Sequence, residues 1–87
     1  MLPAQPVNAA MENIDFPGGD LVIFPVGSTT ARTCQAACEE NAYCQAYTYV
    51  KVGIQAATAY CYLKRSASKA VPNSCCISGV MRGSPPR

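Results

Sequence analysis

The 87 residues form one small domain of 9.2 kDa, whose seven Lys/Arg and five Asp/Glu leave a net charge of +2 and a pI near 8.3. That charge is too mild for a dedicated nucleic-acid binder, and 49% hydrophobic with 14% charged residues is not the composition of a disordered chain. Histidine is absent, which excludes imidazole bases and His-ligated metals; the longest apolar run, residues 21–26, contains Pro25 and is far short of a membrane span.

Residues 1–10 carry two prolines and no periodicity, and are expected to be a flexible arm. They lack the basic start and apolar core of a signal peptide, so the expectation is a processed or excised segment, or a chain released by lysis. Residues 11–15 read as an edge strand, and Pro17-Gly18-Gly19-Asp20 as a turn, since proline presets φ and glycine accepts φ > 0. Residues 21–24 are β-branched and apolar and predict a strand that Pro25 stops. Residues 27–30 supply N-cap candidates for a helix over 31–40, with Asn41 as a left-handed stop. Cys34 and Cys38 stand at i and i+4, so both thiols leave one helix face, with Ala37 beside them.

Residues 44–50 alternate strictly, with Cys44, Ala46, Thr48 and Val50 on one face and Gln45, Tyr47 and Tyr49 on the other. A loop around Gly53 leads to a second alternating run, 58–64, in which Cys61 and Leu63 oppose Tyr60, Tyr62 and Lys64. The two runs are expected to pair antiparallel. Residues 66–74 read as a polar connection, 76–81 as a last short strand, and 83–87, with two prolines, as a tail.

Six cysteines in so short a chain read as disulfides formed in an oxidising compartment. Zinc would need CxxC-like pairs, and none occurs. The spacing is Cys34-x3-Cys38-x5-Cys44, then Cys61, then adjacent Cys75 and Cys76.

These residues resemble a PAN/apple domain. The run TCQAACEENAYCQAYTYV followed by CYLK is similar to the family's core pattern of Cys-x3-Cys-x5-Cys-x-Ala-aromatic-Thr-Tyr and a later Cys-aromatic-Leu-Lys. ENIDFPGGDL resembles a Pro-Gly-x-Asp turn of bacterial members, and SCCISGV a Cys-Cys-x-Ser-Gly-Val ending of a bacterial subgroup. The resemblance covers about residues 12–82, consistent with a domain over 11–82. It implies an α+β fold, one helix packed on a curved antiparallel sheet, with core bridges Cys34–Cys61 and Cys38–Cys44. Apple domains often add a bridge between their terminal segments. With no cysteine before Cys34, Cys75 and Cys76 are left to a vicinal bond, two free thiols or links to another chain.

For function, the alternation places Tyr47, Tyr49, Tyr60 and Tyr62 on one hairpin face opposite the helix, as a second small core or as a binding face for sugar rings or protein. Lys64, Arg65 and Lys69 make a small basic cluster suited to an anionic glycan or an acidic partner, or simply solvated surface. Asp15 and Asp20 flank the turn, where capping is expected rather than calcium, which needs six to eight oxygens. No acid–base constellation, nucleophile elbow or phosphate loop is present. The expectation is a module without catalysis, metal or cofactor in an extracellular, cell-surface or periplasmic setting, binding a protein or carbohydrate partner. The alternative is a structural subunit that self-assembles or decorates a particle, using the edge offered by residues 21–24.

Overall fold

The computed structural model describes residues 10–27, 29–67 and 69–81. The arm expected over 1–10, apart from Ala10, and the tail expected over 83–87 lie outside the described residues. The elements run β1 (Ala10–Asp15), β2 (Asp20–Val26), α1 (Arg32–Glu40), β3 (Ala46–Val50), β4 (Ala59–Lys64) and β5 (Val71–Val80). All five strands join one antiparallel sheet in the order β1-β5-β3-β4-β2, and α1 packs on β3 and β4. This is the α+β architecture of one helix on an antiparallel sheet.

The helix sits there because its two buried residues, Cys34 and Cys38, face the sheet and are bonded to it. Cys34 forms a disulfide with Cys61 on β4, and Cys38 with Cys44 just ahead of β3. Around these sulfurs lies the core: Ala31, Tyr47, Tyr49, Ala59, Leu63 and Met81, with Leu21, Phe24 and Ile77 packed against it. The remaining cysteines, Cys75 and Cys76, form a vicinal disulfide within β5.

Five local expectations need revision. Strand β2 does not stop at Phe24 but runs through Pro25 to Val26. It tolerates the proline because it is an edge strand, paired only with β4, where one missing N–H interrupts no second ladder. Strand β5 starts five residues early, at Val71, absorbing Pro72 and much of the expected connection. Its first residues extend beyond β3 and pair only with β1, so Pro72 again meets one neighbour. The helix begins at Arg32 with Ala31 in the cap position and no side-chain cap. Asn41 ends it in extended backbone, φ −106° and ψ 111°, not left-handed. The one non-glycine residue with positive φ among those described is Asn13, at φ 60°.

The phase of β3 is the fifth revision. Tyr47 pairs with Leu63 and Tyr49 with Cys61, so both tyrosines lie on the helix side. Ala46, Thr48 and Val50 share the outer face with Lys64, Tyr62 and Tyr60. Tyr47 and Tyr49 are 0% and 2% exposed. The alternation itself is correct; its anchor is not. Cys44 lies in the turn before β3 and reaches the core through its bond to Cys38, so its side says nothing about Ala46.

Candidate functional site

One helix covers one face of the sheet. On the other face, a cleft of about 380 Å³ opens over β3 and β4. Thr48 and Val50 of β3 and Tyr62 and Lys64 of β4 line it. Its walls come from three other places in the chain: the β1–β2 turn with Asp15, Pro17 and Asp20, the β3–β4 loop with Ile54 and Gln55, and β5 with Asn73 and the Cys75–Cys76 pair. The volume falls at the small end of the range of roughly 300–1,000 Å³ for small-molecule sites.

The lining side chains are held in place. Tyr62 is half-buried, and its hydroxyl donates to Gln55 Oε1 at 2.8 Å, tying β4 to the loop. Lys64 is 3% exposed, and its ammonium is ion-paired with the Asp20 carboxylate and lies 5.1 Å from the Tyr62 ring centroid. A buried ammonium needs such a partner, since removing the carboxylate would leave a desolvated charge. Thr48 Oγ1 and Ser78 Oγ are 2.8 Å apart, and Ser78 Oγ donates to the Ile14 carbonyl at 2.7 Å. Ser78 has one hydroxyl proton and spends it there, so Thr48 is the donor of the pair. Lys51 Nζ reaches Ser74 O at 2.9 Å and Asn13 Oδ1 at 3.3 Å, joining β1 and β5 beside the cleft. Asn73 Oδ1 accepts from the Cys75 N–H at 3.0 Å.

The site residues expected from sequence therefore separate. Tyr60 and Tyr62 share the outer face, but Tyr47 and Tyr49 are core on the other side. Lys64 does not contribute an open charge to a basic cluster, because Asp20 neutralises it inside the cleft wall. Arg65 is exposed and its N–H donates to the Gly19 carbonyl at 2.9 Å; Lys69 is exposed. Gln55, Asn73 and Ile54 carry no sequence signal of their own, since only topology brings them to one cleft. Thr48 has one: it is the centre of β3's outer face once the phase is anchored on the tyrosines. Among the described residues no group of three or more His, Cys, Asp or Glu is placed to hold a metal ion.

The arrangement offers an aromatic ring, apolar walls and several fixed polar side chains, which is recognition chemistry. The sequence matches the PAN domain family model over residues 14–64, more than half of the chain. The chain belongs to the PAN domain family. No curated protein matches it in sequence. PAN domains are binding modules for protein or carbohydrate and are generally non-catalytic, and they and disulfides are typical of extracellular proteins. The match begins at Ile14 and ends at Lys64, so the turn, helix, β3 and β4 of this PAN domain fall within it, while β5 and its cysteine pair lie beyond. No helix among the described residues is long and apolar enough to cross a membrane.

Proposed function

We propose that this PAN domain is an extracytoplasmic recognition module whose outer-face cleft binds a saccharide unit of a glycan partner. The observation that carries the reading is the Tyr62 ring, half-buried in a concave site with Thr48, Gln55 and Asn73 around it. A flat apolar surface ringed by planar hydrogen-bonding groups suits a sugar, which presents C–H faces and equatorial hydroxyls. The sheet and the contacts of Tyr62 with Gln55, Lys64 with Asp20 and Thr48 with Ser78 hold the cleft walls before binding, so little ordering entropy is lost when ligand enters.

A glycan array probed with the intact, oxidised chain tests the proposal. Tyr62→Ala and Asn73→Ala are expected to reduce retained binding by about tenfold or more, as loss of a stacking surface or of a well-placed hydrogen bond does. Retention of glycan unaffected by both changes would place the glycan site outside the cleft, and no retention by the parent chain would transfer the reading to a protein partner.

A second reading is self-assembly through β2, an edge strand exposing Val22 (41%) and Ile23 (47%). Pro25 within that edge works against it, since proline is one of the residues that blunt strand-to-strand association. Size-exclusion chromatography at micromolar concentration separates the two readings: a monomer that retains glycan supports the module, ordered self-association the subunit.

A further inference from the structure

On the helix side of the sheet lies a second cleft, about 290 Å³, between the start of α1 and strand β1. It shares no residue with the outer-face cleft. Glu12, Thr30, Arg32, Gln35 and Tyr47 are among its lining residues.

Three independent features meet there. The first is the N-terminus of the nine-residue helix, which has no side-chain cap and no acidic residue in its first turn. Its N–H groups and its dipole therefore present positive potential without a built-in counter-charge. A long contact from the Arg32 N–H to Thr30 Oγ1, 3.4 Å, is weak compensation. The second is Tyr47. Its side chain is fully buried, yet its hydroxyl has no hydrogen-bond partner, and it is the one such group among the described residues. Buried polar groups without partners are rare, and each calls for an explanation. The ring is fixed against Gly79, where a Cβ would fall 2.6 Å from the phenol oxygen, so the hydroxyl is a donor with a set position. The third is charge: Arg32 is exposed, and the ion pair present among the described residues, Lys64–Asp20, leaves its guanidinium uncompensated.

We propose that this cleft is a binding site for the carboxylate of a small polar molecule, about the size of one sugar or amino acid. Arg32 and the first-turn N–H groups of α1 hold the anion, and Tyr47 donates its unused hydrogen bond from the floor. Gln35, half-buried in the same cleft, offers a further polar contact to the ligand. Glu12, across the cleft, sets the selectivity: it repels a second negative charge and accepts from a hydroxyl or ammonium on the same ligand. A monocarboxylate bearing donors fits this set, whereas a dicarboxylate does not.

The test is a 15N-detected titration of the intact, oxidised chain with glucuronate, free alanine, succinate and methyl glucoside. The expected result is a saturable shift of the Arg32, Thr33 and Cys34 amides with glucuronate or alanine, a weaker one with succinate and none with methyl glucoside. Which of the first two binds identifies the source of the carboxylate. Arg32→Gln and Tyr47→Phe are each expected to weaken binding by about fivefold, the effect of one hydrogen bond. Tyr47→Phe should not lower the melting temperature, which separates lost binding from lost folding. The proposal is overturned if neither carboxylate gives saturable shifts, if methyl glucoside matches glucuronate, or if Tyr47→Phe binds like the parent chain.

Discussion

Tyr47 concentrates the residue-scale physics of this domain. Its phenol is buried at the floor of the helix-side cleft, and burial raises its pKa above the ordinary 10.0, because the anion would lose hydration. The folded state therefore holds this proton more tightly than the unfolded chain does. Below the unfolded value of about 10 both states are protonated and the contribution is fully present; above it the unfolded chain releases the proton first, and stability falls as pH rises toward the folded pKa. Urea titrations across that alkaline window are expected to show a flatter decline for Tyr47→Phe than for the parent chain. Identical slopes would mean that the phenol reaches water. The same ring makes Gly79 irreplaceable. An added Cβ would meet the ring and oxygen at 2.6–2.8 Å, and the ring, buried among the core residues, cannot give way without disturbing them. Gly79→Ala is expected to cost about 1–3 kcal/mol, the scale of overpacking, seen as a lower urea midpoint at unchanged slope.

At the scale of elements, a single backbone feature aligns the cleft's edge. Between Glu12 and Ile14 the register of β1 against β5 shifts, and Asn13 takes φ 60° in the step. Asparagine is among the few non-glycine residues that accept this conformation, and its Oδ1 receives Lys51. Asn13→Val forces a β-branched residue into left-handed backbone and removes that acceptor. It is expected to destabilise by about 1–3 kcal/mol, whereas Asn13→Gly stays near the parent. Thermal melts of the two variants decide it, and equal losses would place the effect in the side-chain contact alone.

The same scale explains what could be read in advance. The helix and the β3–β4 hairpin were legible because each has a local period: cysteines at i and i+4, then apolar and polar residues alternating. The span of β2 and β5 was not, because Pro25 and Pro72 read as terminators until the strand order shows that each meets a single neighbour. The side to which Tyr47 and Tyr49 turn was missed for a related reason. A cysteine two residues before Ala46 looks like the first strand position, but it belongs to the turn. Of the outer cleft, Tyr62 was visible by alternation, while Gln55 and Asn73 depend on a strand order that no local pattern encodes.

For the whole molecule, the question is how a sheet with one helix among the described residues keeps two clefts in place. The sheet has a helix on one face and loops on the other, so covalent links must supply what a second layer would otherwise provide. Cys34–Cys61 crosses the helix–sheet interface and spans 27 residues; Cys38–Cys44 spans six and stays local. In the chain-entropy model the longer loop contributes about 3.6 kcal/mol and the shorter about 2.4 kcal/mol, a difference of about 1.2 kcal/mol. All four cysteines are fully buried, so replacing either pair by alanines removes similar packing and the comparison isolates loop closure. The Cys34→Ala/Cys61→Ala chain is thus expected to unfold at a lower urea midpoint than the Cys38→Ala/Cys44→Ala chain. It should also lose more of the helix signal in circular dichroism, since its loss frees α1 from β4 while the local bond merely fastens the helix end. If the order is reversed, the turn around Cys44 is what positions β3, and the stability of both clefts is set by that turn, not by the clamp across the core.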